Sequence, residues 1–121
     1  MLAASGSSFS NGSDQGPSAG QVVLVHGLGR TSRSMDLVAE ALGLAGYAVC
    51  NIDYPSRQFS IGQLVDKHVL PAIHACGLNI DVPIDFVTHS LGGIIVRHIS
   101  FHAALPKIGR VVMLAPPNQG S

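Results

Sequence analysis

The stretch IDFVTHSLGGIIVR, residues 84–97, decides how the chain is organised, because it joins a strand pattern to a helix pattern through a serine. Its first part, IDFVT, is rich in β-branched and aromatic side chains, which is typical of a buried strand. Its last part predicts a helix over 91–103. A strand that turns directly into a helix leaves room only for small residues such as Gly92 and Gly93. Ser90 is therefore predicted at the apex of a strained turn, with its Oγ exposed above the sheet.

The chain on the N-terminal and C-terminal sides of this unit repeats the alternation of strand and helix. Each strand pattern is short and almost entirely apolar, as in strands that are buried on both faces. The predicted order β, α, β, α, β, α, β implies an α/β fold with three layers, α/β/α, around a parallel sheet with right-handed crossovers. The other predicted elements are strands at 22–25, 47–54 and 110–115 and helices at 34–45 and 61–76.

Three details of these elements are predicted from single residues. The first helix is expected to be capped by Ser32 or Ser34, whose hydroxyl can accept a hydrogen bond from the first turn. The second helix is expected to kink or split at Pro71, since proline has no backbone N–H to donate. Cys50 and Cys76 lack the spacing of a redox or zinc motif, so both are expected to be free, buried thiols.

Composition limits the organisation of the chain and the classes of partner. Residues 1–20 are rich in Ser, Gly and Ala, which predicts a flexible tail, and the folded domain is expected at 21–121. Seven Lys and Arg balance seven Asp and Glu, which argues against nucleic acid or an anionic membrane surface as a partner. No apolar run approaches the roughly 20 residues that cross a bilayer, so stable membrane insertion is not expected. A secretory signal pattern is not seen either, which leaves the compartment open.

Two motifs taken together resemble a known family. THSLGG, residues 88–93, follows one predicted strand, and VLVHGLG, residues 23–29, begins with another. The pair resembles the nucleophile elbow and oxyanion loop of the α/β-hydrolase fold, in its lipase and esterase-like branch. NIDYPSR at 51–57 and VVMLAPPNQGS at 111–121 are similar to segments of small lipase-like hydrolases. Thr88 stands where this family usually has glycine.

The resemblance implies a serine hydrolase that cleaves carboxylic esters of the lipase or esterase type through an acyl-enzyme, without a cofactor or metal. It implies Ser90 as the nucleophile and the backbone N–H groups of Leu28 and Leu91 as the oxyanion donors. A small-molecule ester or a lipid-like molecule is then the expected partner. Structural support of the site is expected from His26, Gly27, His89 and Gly92, and the His89 side chain is expected to point away from the nucleophile.

The chain departs from the family pattern after Ser90. In this fold the triad follows the order Ser, then Asp or Glu, then His. No Asp or Glu follows Ser90 here, and the later histidines, His98 and His102, lie on the predicted helix that leaves the turn. We therefore expect the C-terminal part of the fold to be missing, so that 21–121 is a partial domain. Its last strand would then offer an open edge for self-association.

Two alternatives remain open from the sequence. A non-catalytic binding protein with the α/β-hydrolase fold would account for the missing acid and base. A dinucleotide-binding unit would account for the glycines after the first strand and for Asp53 after the second, although Ser32 occupies its third glycine position. His98 and His102 have the i, i+4 spacing of a metal site, but no glutamate completes an HExxH motif and no metal is expected.

Overall fold

The structure, a computed structural model, describes residues 19–114 and contains one sheet covered by helices on both faces. The four strands of this sheet are all parallel and follow the spatial order β2-β1-β3-β4. The predicted order of elements and the α/β class are confirmed. The strands are β1 (Gly20–Val25), β2 (Tyr47–Ile52), β3 (Ile84–His89) and β4 (Ile108–Leu114), and the helices are α1 (Asp36–Leu44), α2 (residues 61–75) and α3 (Leu91–Phe101).

The sheet is central because β1 carries apolar side chains on both of its faces. Its register places Val23 beside Cys50 of β2 and Phe86 of β3. Because side chains alternate across a strand, odd and even positions of β1 enter different layers. Val23 and Val25 pack in the core under α2 and α3, whereas Val22 and Leu24 pack with residues of α1. The result is the predicted three-layer arrangement.

Two segments predicted from the sequence lie partly outside the described residues. Of the tail predicted at 1–20, only Ala19 and Gly20 are described, and Gly20 already begins β1. The loop predicted after the last strand falls at 115–121, outside the described range. β4 lies at one edge of the described sheet and exposes Val111, Val112 and Met113. Self-association through this edge stays a prediction.

The first helical segment begins differently from the prediction. A 3-10 turn, Ser32–Met35, precedes α1, and its capping residue is Thr31, whose side chain accepts a hydrogen bond from the Arg33 N–H at 3.3 Å. The prediction that Ser32 or Ser34 caps the first helix was therefore wrong. The Ser32 hydroxyl is already engaged, since it donates to the Asp53 carboxylate at 2.7 Å.

Helix α2 passes through Pro71 without splitting. Its first part, Ile61–Leu64, starts with a capping box between Ser60 and Gln63. Its middle part, Val65–Val69, is π-helical, and the Leu70 N–H donates to the Val65 carbonyl. Pro71 then stands in the first turn of the last part, Leu70–Ala75. The wider π turn accommodates the proline, which has no N–H to donate and whose ring would crowd the carbonyl four residues earlier in a regular helix.

The prediction of two free thiols was wrong, because Cys50 and Cys76 form a disulfide. The two residues are 26 positions apart in sequence, but their Cα atoms are 5.9 Å apart. This proximity arises because α2 packs back over β2, so that its C-terminal end lies beside the middle of the strand. A motif search detects only cysteines close in sequence and could not detect this pair.

Candidate active site

The candidate site lies at the edge of the sheet where β1, β2 and β3 end. Three segments follow these strands: the HG loop (residues 26–30), the support segment (53–57) and the elbow (88–92). Because the strands are parallel neighbours, their carboxyl ends bring the three segments together. Residues that are far apart in sequence therefore share one surface.

Ser90 occupies the apex of the elbow, between β3 and α3. Its backbone has φ 56° and ψ −120°, a conformation that is costly for any residue with a Cβ. Its side chain is exposed and makes no capping hydrogen bond to α3. Strain of this kind persists only where the surrounding structure enforces it, and it is typical of functional positions. The prediction of a strained turn with an exposed hydroxyl agrees with this geometry.

Gly92 allows the elbow to lie close to the sheet. A Cβ on Gly92 would be 2.5 Å from the Val25 carbonyl oxygen and 3.2 Å from the Thr88 Cβ. Helix α3 therefore begins in direct contact with the backbone of β1. Thr88, which replaces the usual glycine, is fully buried against this contact and leaves space only for a glycine at position 92.

The HG loop lies directly against the elbow. A Cβ on Gly27 would be 3.1 Å from the Ser90 Cβ and 2.9 Å from the His89 Nδ1. The predicted supporting residues Gly27 and His89 are therefore in contact with each other. Among residues 19–114, neither the Leu28 N–H nor the Leu91 N–H donates a hydrogen bond. Leu91 is the first residue of α3, where backbone N–H groups have no partner within the helix and the helix dipole favours negative charge.

His26 is completely buried between the HG loop and the support segment. Its Nδ1 lies 2.9 Å from the Gly27 carbonyl oxygen, and its Nε2 accepts a hydrogen bond from the Tyr54 N–H at 3.4 Å. The Tyr54 ring stacks on the imidazole, with ring centroids 4.1 Å apart. With Nε2 as the acceptor, Nδ1 is the ring nitrogen that faces the Gly27 carbonyl oxygen as a donor. Asp53, 3.8 Å from the Nε2, instead accepts hydrogen bonds from the Ser32 N–H and hydroxyl.

Two residues of the support segment were not identified as site residues from the sequence. The buried Tyr54 hydroxyl donates to the His26 carbonyl at 2.5 Å, and burial raises the pKa of Tyr54 above its ordinary value. The buried Ser56 hydroxyl accepts a hydrogen bond from the Gly29 N–H at 2.8 Å. The Arg57 guanidinium lies next to Gly29, in the space that a Cβ at this position would occupy. The motif NIDYPSR was visible in the sequence, but nothing in it indicated which backbone groups these side chains would bind.

His98 and His102 lie at the C-terminal end of α3, outside the three segments of the candidate site. His98 and His102 stack on each other with centroids 4.2 Å apart, and His98 lies beside Gly62 of α2. Residues 19–114 contain no group of three His, Cys, Asp or Glu side chains arranged to hold a metal.

A hollow of about 330 Å³ opens on the α1 side of the sheet and is lined by Arg30, Ser34, Met35, Val38, His89 and Leu114. Within the same residues, no helix is long and apolar enough to cross a bilayer.

Comparison with known proteins gives one family. The model of the alpha/beta hydrolase family matches residues 22–121, a range that includes the HG loop, the support segment and the elbow. Searches among curated proteins and among solved structures gave no match.

Proposed function

The chain belongs to the alpha/beta hydrolase family, and on that basis we propose that it is a serine hydrolase that cleaves carboxylic esters through an acyl-enzyme. The observation that carries the proposal is the backbone of Ser90, which has a positive φ at an exposed apex between a strand and a helix. A serine placed in this way presents its Oγ to solvent and to the N-terminus of α3 at the same time.

The proposed reaction begins when the Ser90 Oγ attacks the carbonyl carbon of the ester and the carbonyl oxygen takes up the electron pair. The Leu28 and Leu91 N–H groups, which have no partner among the described residues, are proposed to bind that oxyanion. One such donor accounts for roughly a 10²- to 10³-fold effect in serine hydrolases. The alcohol then leaves with a proton, and water attacks the acyl-enzyme, which releases the acid and restores the hydroxyl.

The residues assigned here are the nucleophile and the oxyanion donors. A base must also take the proton of Ser90, and no histidine nitrogen of residues 19–114 is hydrogen-bonded to its hydroxyl. His26 has both ring nitrogens engaged in the interior, and no Asp or Glu follows Ser90 in the sequence. The same observation favours a second candidate, a non-catalytic protein that binds the same kind of molecule at the elbow.

The substrate class that the surroundings favour is a small ester or a lipid-like ester. The hollow next to His89 combines apolar walls from Met35, Val38 and Leu114 with the polar side chain of Arg30. Apolar pockets with a few polar groups are the usual setting for binding of small molecules. We propose that this hollow receives the acyl or the alcohol part of the ester.

The test is covalent labelling by an alkyl fluorophosphonate, which reacts with activated serines, followed by mass spectrometry of the labelled peptide. We expect one label at Ser90, no label in Ser90→Ala, and unchanged labelling in Ser100→Ala, which alters an exposed serine of α3. Any hydrolysis of p-nitrophenyl butyrate by the wild type should be lost in Ser90→Ala and kept in Ser100→Ala. Labelling that persists in Ser90→Ala would overturn the nucleophile, and unlabelled wild type that still binds the ester would support the non-catalytic candidate.

A further inference from the structure

We propose that Tyr54 and Ser56 are positioning residues for the HG loop. They hold this loop so that the Leu28 N–H faces Ser90. The inference rests on the function proposed above and adds to it the part of the chain that sets the geometry of one oxyanion donor. Both residues come from the support segment after β2, and their hydrogen bonds within residues 19–114 go to His26 and Gly29 and not to Ser90. They act through the backbone of residues 26–29.

The orientation of the Leu28 N–H is determined by the carbonyl of Gly27, because both belong to one peptide plane. In a trans peptide these two groups point in opposite directions. The Gly27 carbonyl lies 2.9 Å from the His26 Nδ1 and accepts a hydrogen bond from the Arg30 N–H at 3.1 Å. With the carbonyl held on the side of the buried His26, the N–H is turned away from the imidazole.

Tyr54 fixes the position of His26, whose imidazole contacts the Gly27 carbonyl. Its ring stacks on the imidazole of His26 at an angle of 18°, and its backbone N–H donates to the Nε2. Its hydroxyl donates to the His26 carbonyl, which belongs to the preceding peptide plane. A tyrosine hydroxyl is protonated at neutral pH and can therefore donate, and burial raises the pKa of Tyr54 further. One side chain thus fixes both the ring and the backbone of His26.

Ser56 holds the other end of the same short loop. Its hydroxyl accepts from the Gly29 N–H, whose residue has φ 71° and is free to adopt other conformations without this bond. The peptide between Gly27 and Leu28 is therefore bracketed by one anchor before it and one after it. A loop with glycines at positions 27 and 29 has little intrinsic stiffness, so these two anchors supply it.

The test compares Tyr54→Phe and Ser56→Ala with the matched controls Tyr47→Phe and Ser100→Ala. Amide hydrogen exchange, measured by NMR, follows the Gly29 and Arg30 N–H groups, which are hydrogen-bonded within this loop. We expect each test variant to speed their exchange about 5-fold, the ratio that corresponds to one intramolecular hydrogen bond. Exchange in the strands and in both controls should be unchanged.

Labelling kinetics with the fluorophosphonate give the second measurement. We expect each test variant to lower the maximal labelling rate about 5-fold with an unchanged half-saturating concentration, since the loop acts on the developing oxyanion and not on ground-state binding. Unchanged loop exchange in both test variants would overturn the proposal, as would an equal rise in exchange throughout the sheet. If the wild type takes no label at all, the proposed function fails, and loop exchange alone decides whether the anchors exist.

Discussion

Replacement of Gly92 by alanine is expected to destabilise the protein because the added methyl group has no space. Its Cβ would be 2.5 Å from the Val25 carbonyl oxygen and 3.1 Å from the Val25 Cβ, whereas ordinary contacts begin at 3.4 Å. Helix α3 would have to move by about 0.9 Å, the difference between 3.4 and 2.5 Å. The atoms in the way belong to a central strand, so no side-chain rotation can relieve the overlap.

The size of the effect is the balance of two terms. Overpacking of a filled interior costs about 1–3 kcal/mol, and replacement of a helical glycine by alanine returns about 0.5–1 kcal/mol. We expect the free energy of unfolding to fall by about 1–2 kcal/mol, which lies in the lower part of the range for overpacking. In a domain of this size, each kcal/mol lowers Tm by roughly 4–8 °C.

Gly43→Ala is the matched control for this prediction. Gly43 lies in α1, is exposed, and an added Cβ would meet nothing within 4 Å. Only the helix term remains there, so we expect the free energy of unfolding to rise by about 0.5 kcal/mol. Urea and thermal unfolding followed by circular dichroism measure both variants. The reasoning is refuted if Gly92→Ala is as stable as the wild type, or if the two substitutions change stability in the same direction.

Three further predictions concern other parts of the structure. Reduction of the disulfide, or the double substitution Cys50→Ala and Cys76→Ala, should lower the free energy of unfolding by about 3–4 kcal/mol, as expected for a loop of this length. Urea unfolding with and without reductant measures this change, and an equal midpoint under both conditions would contradict the prediction. Above pH 10, stability should fall as pH rises, because the raised pKa of Tyr54 makes the folded state hold its proton where the unfolded state loses it. Tyr54→Phe should flatten that decline in unfolding experiments between pH 9 and 11 (about one unit around the ordinary tyrosine pKa), whereas Tyr47→Phe should not. Gly29→Ala should cost about 1 kcal/mol in thermal unfolding, since alanine is disfavoured at φ 71° and the nearby guanidinium can move aside, and a neutral result would show that the loop tolerates another conformation.

The fold could be predicted from the sequence because its signals are local. The apolar patterns around Val23, Cys50 and Phe86 each identify a strand without knowledge of the others, and the alternation with helices then fixes the parallel sheet. The elbow was equally accessible, since a serine, one further residue and two glycines between a strand and a helix indicate a backbone bend. Ser90 adopts that bend with a positive φ.

The features that were missed depend on contacts between distant residues. Tyr54 and Ser56 bind backbone groups 28 and 27 positions earlier in the chain, and the sequence does not show which carbonyl or N–H will lie opposite them. The disulfide likewise depends on the path by which α2 returns across β2. Pro71 was predicted to kink or split the helix, but the helix continues through it after a π-helical turn, and whether a helix breaks or widens there depends on how its neighbours pack.

The three segments of the candidate site are carried by three separate strands whose alignment holds them in place. No single segment of the site contains this geometry: the elbow alone is a bent serine, and the HG loop alone is a short loop with two glycines. Pairing of parallel strands joins residues that are far apart along the chain, and it is slow to form during folding. A chain that has collapsed without aligning its strands therefore holds every residue of the site and none of its arrangement. The reactivity proposed for Ser90, followed during refolding, would report when the sheet is complete.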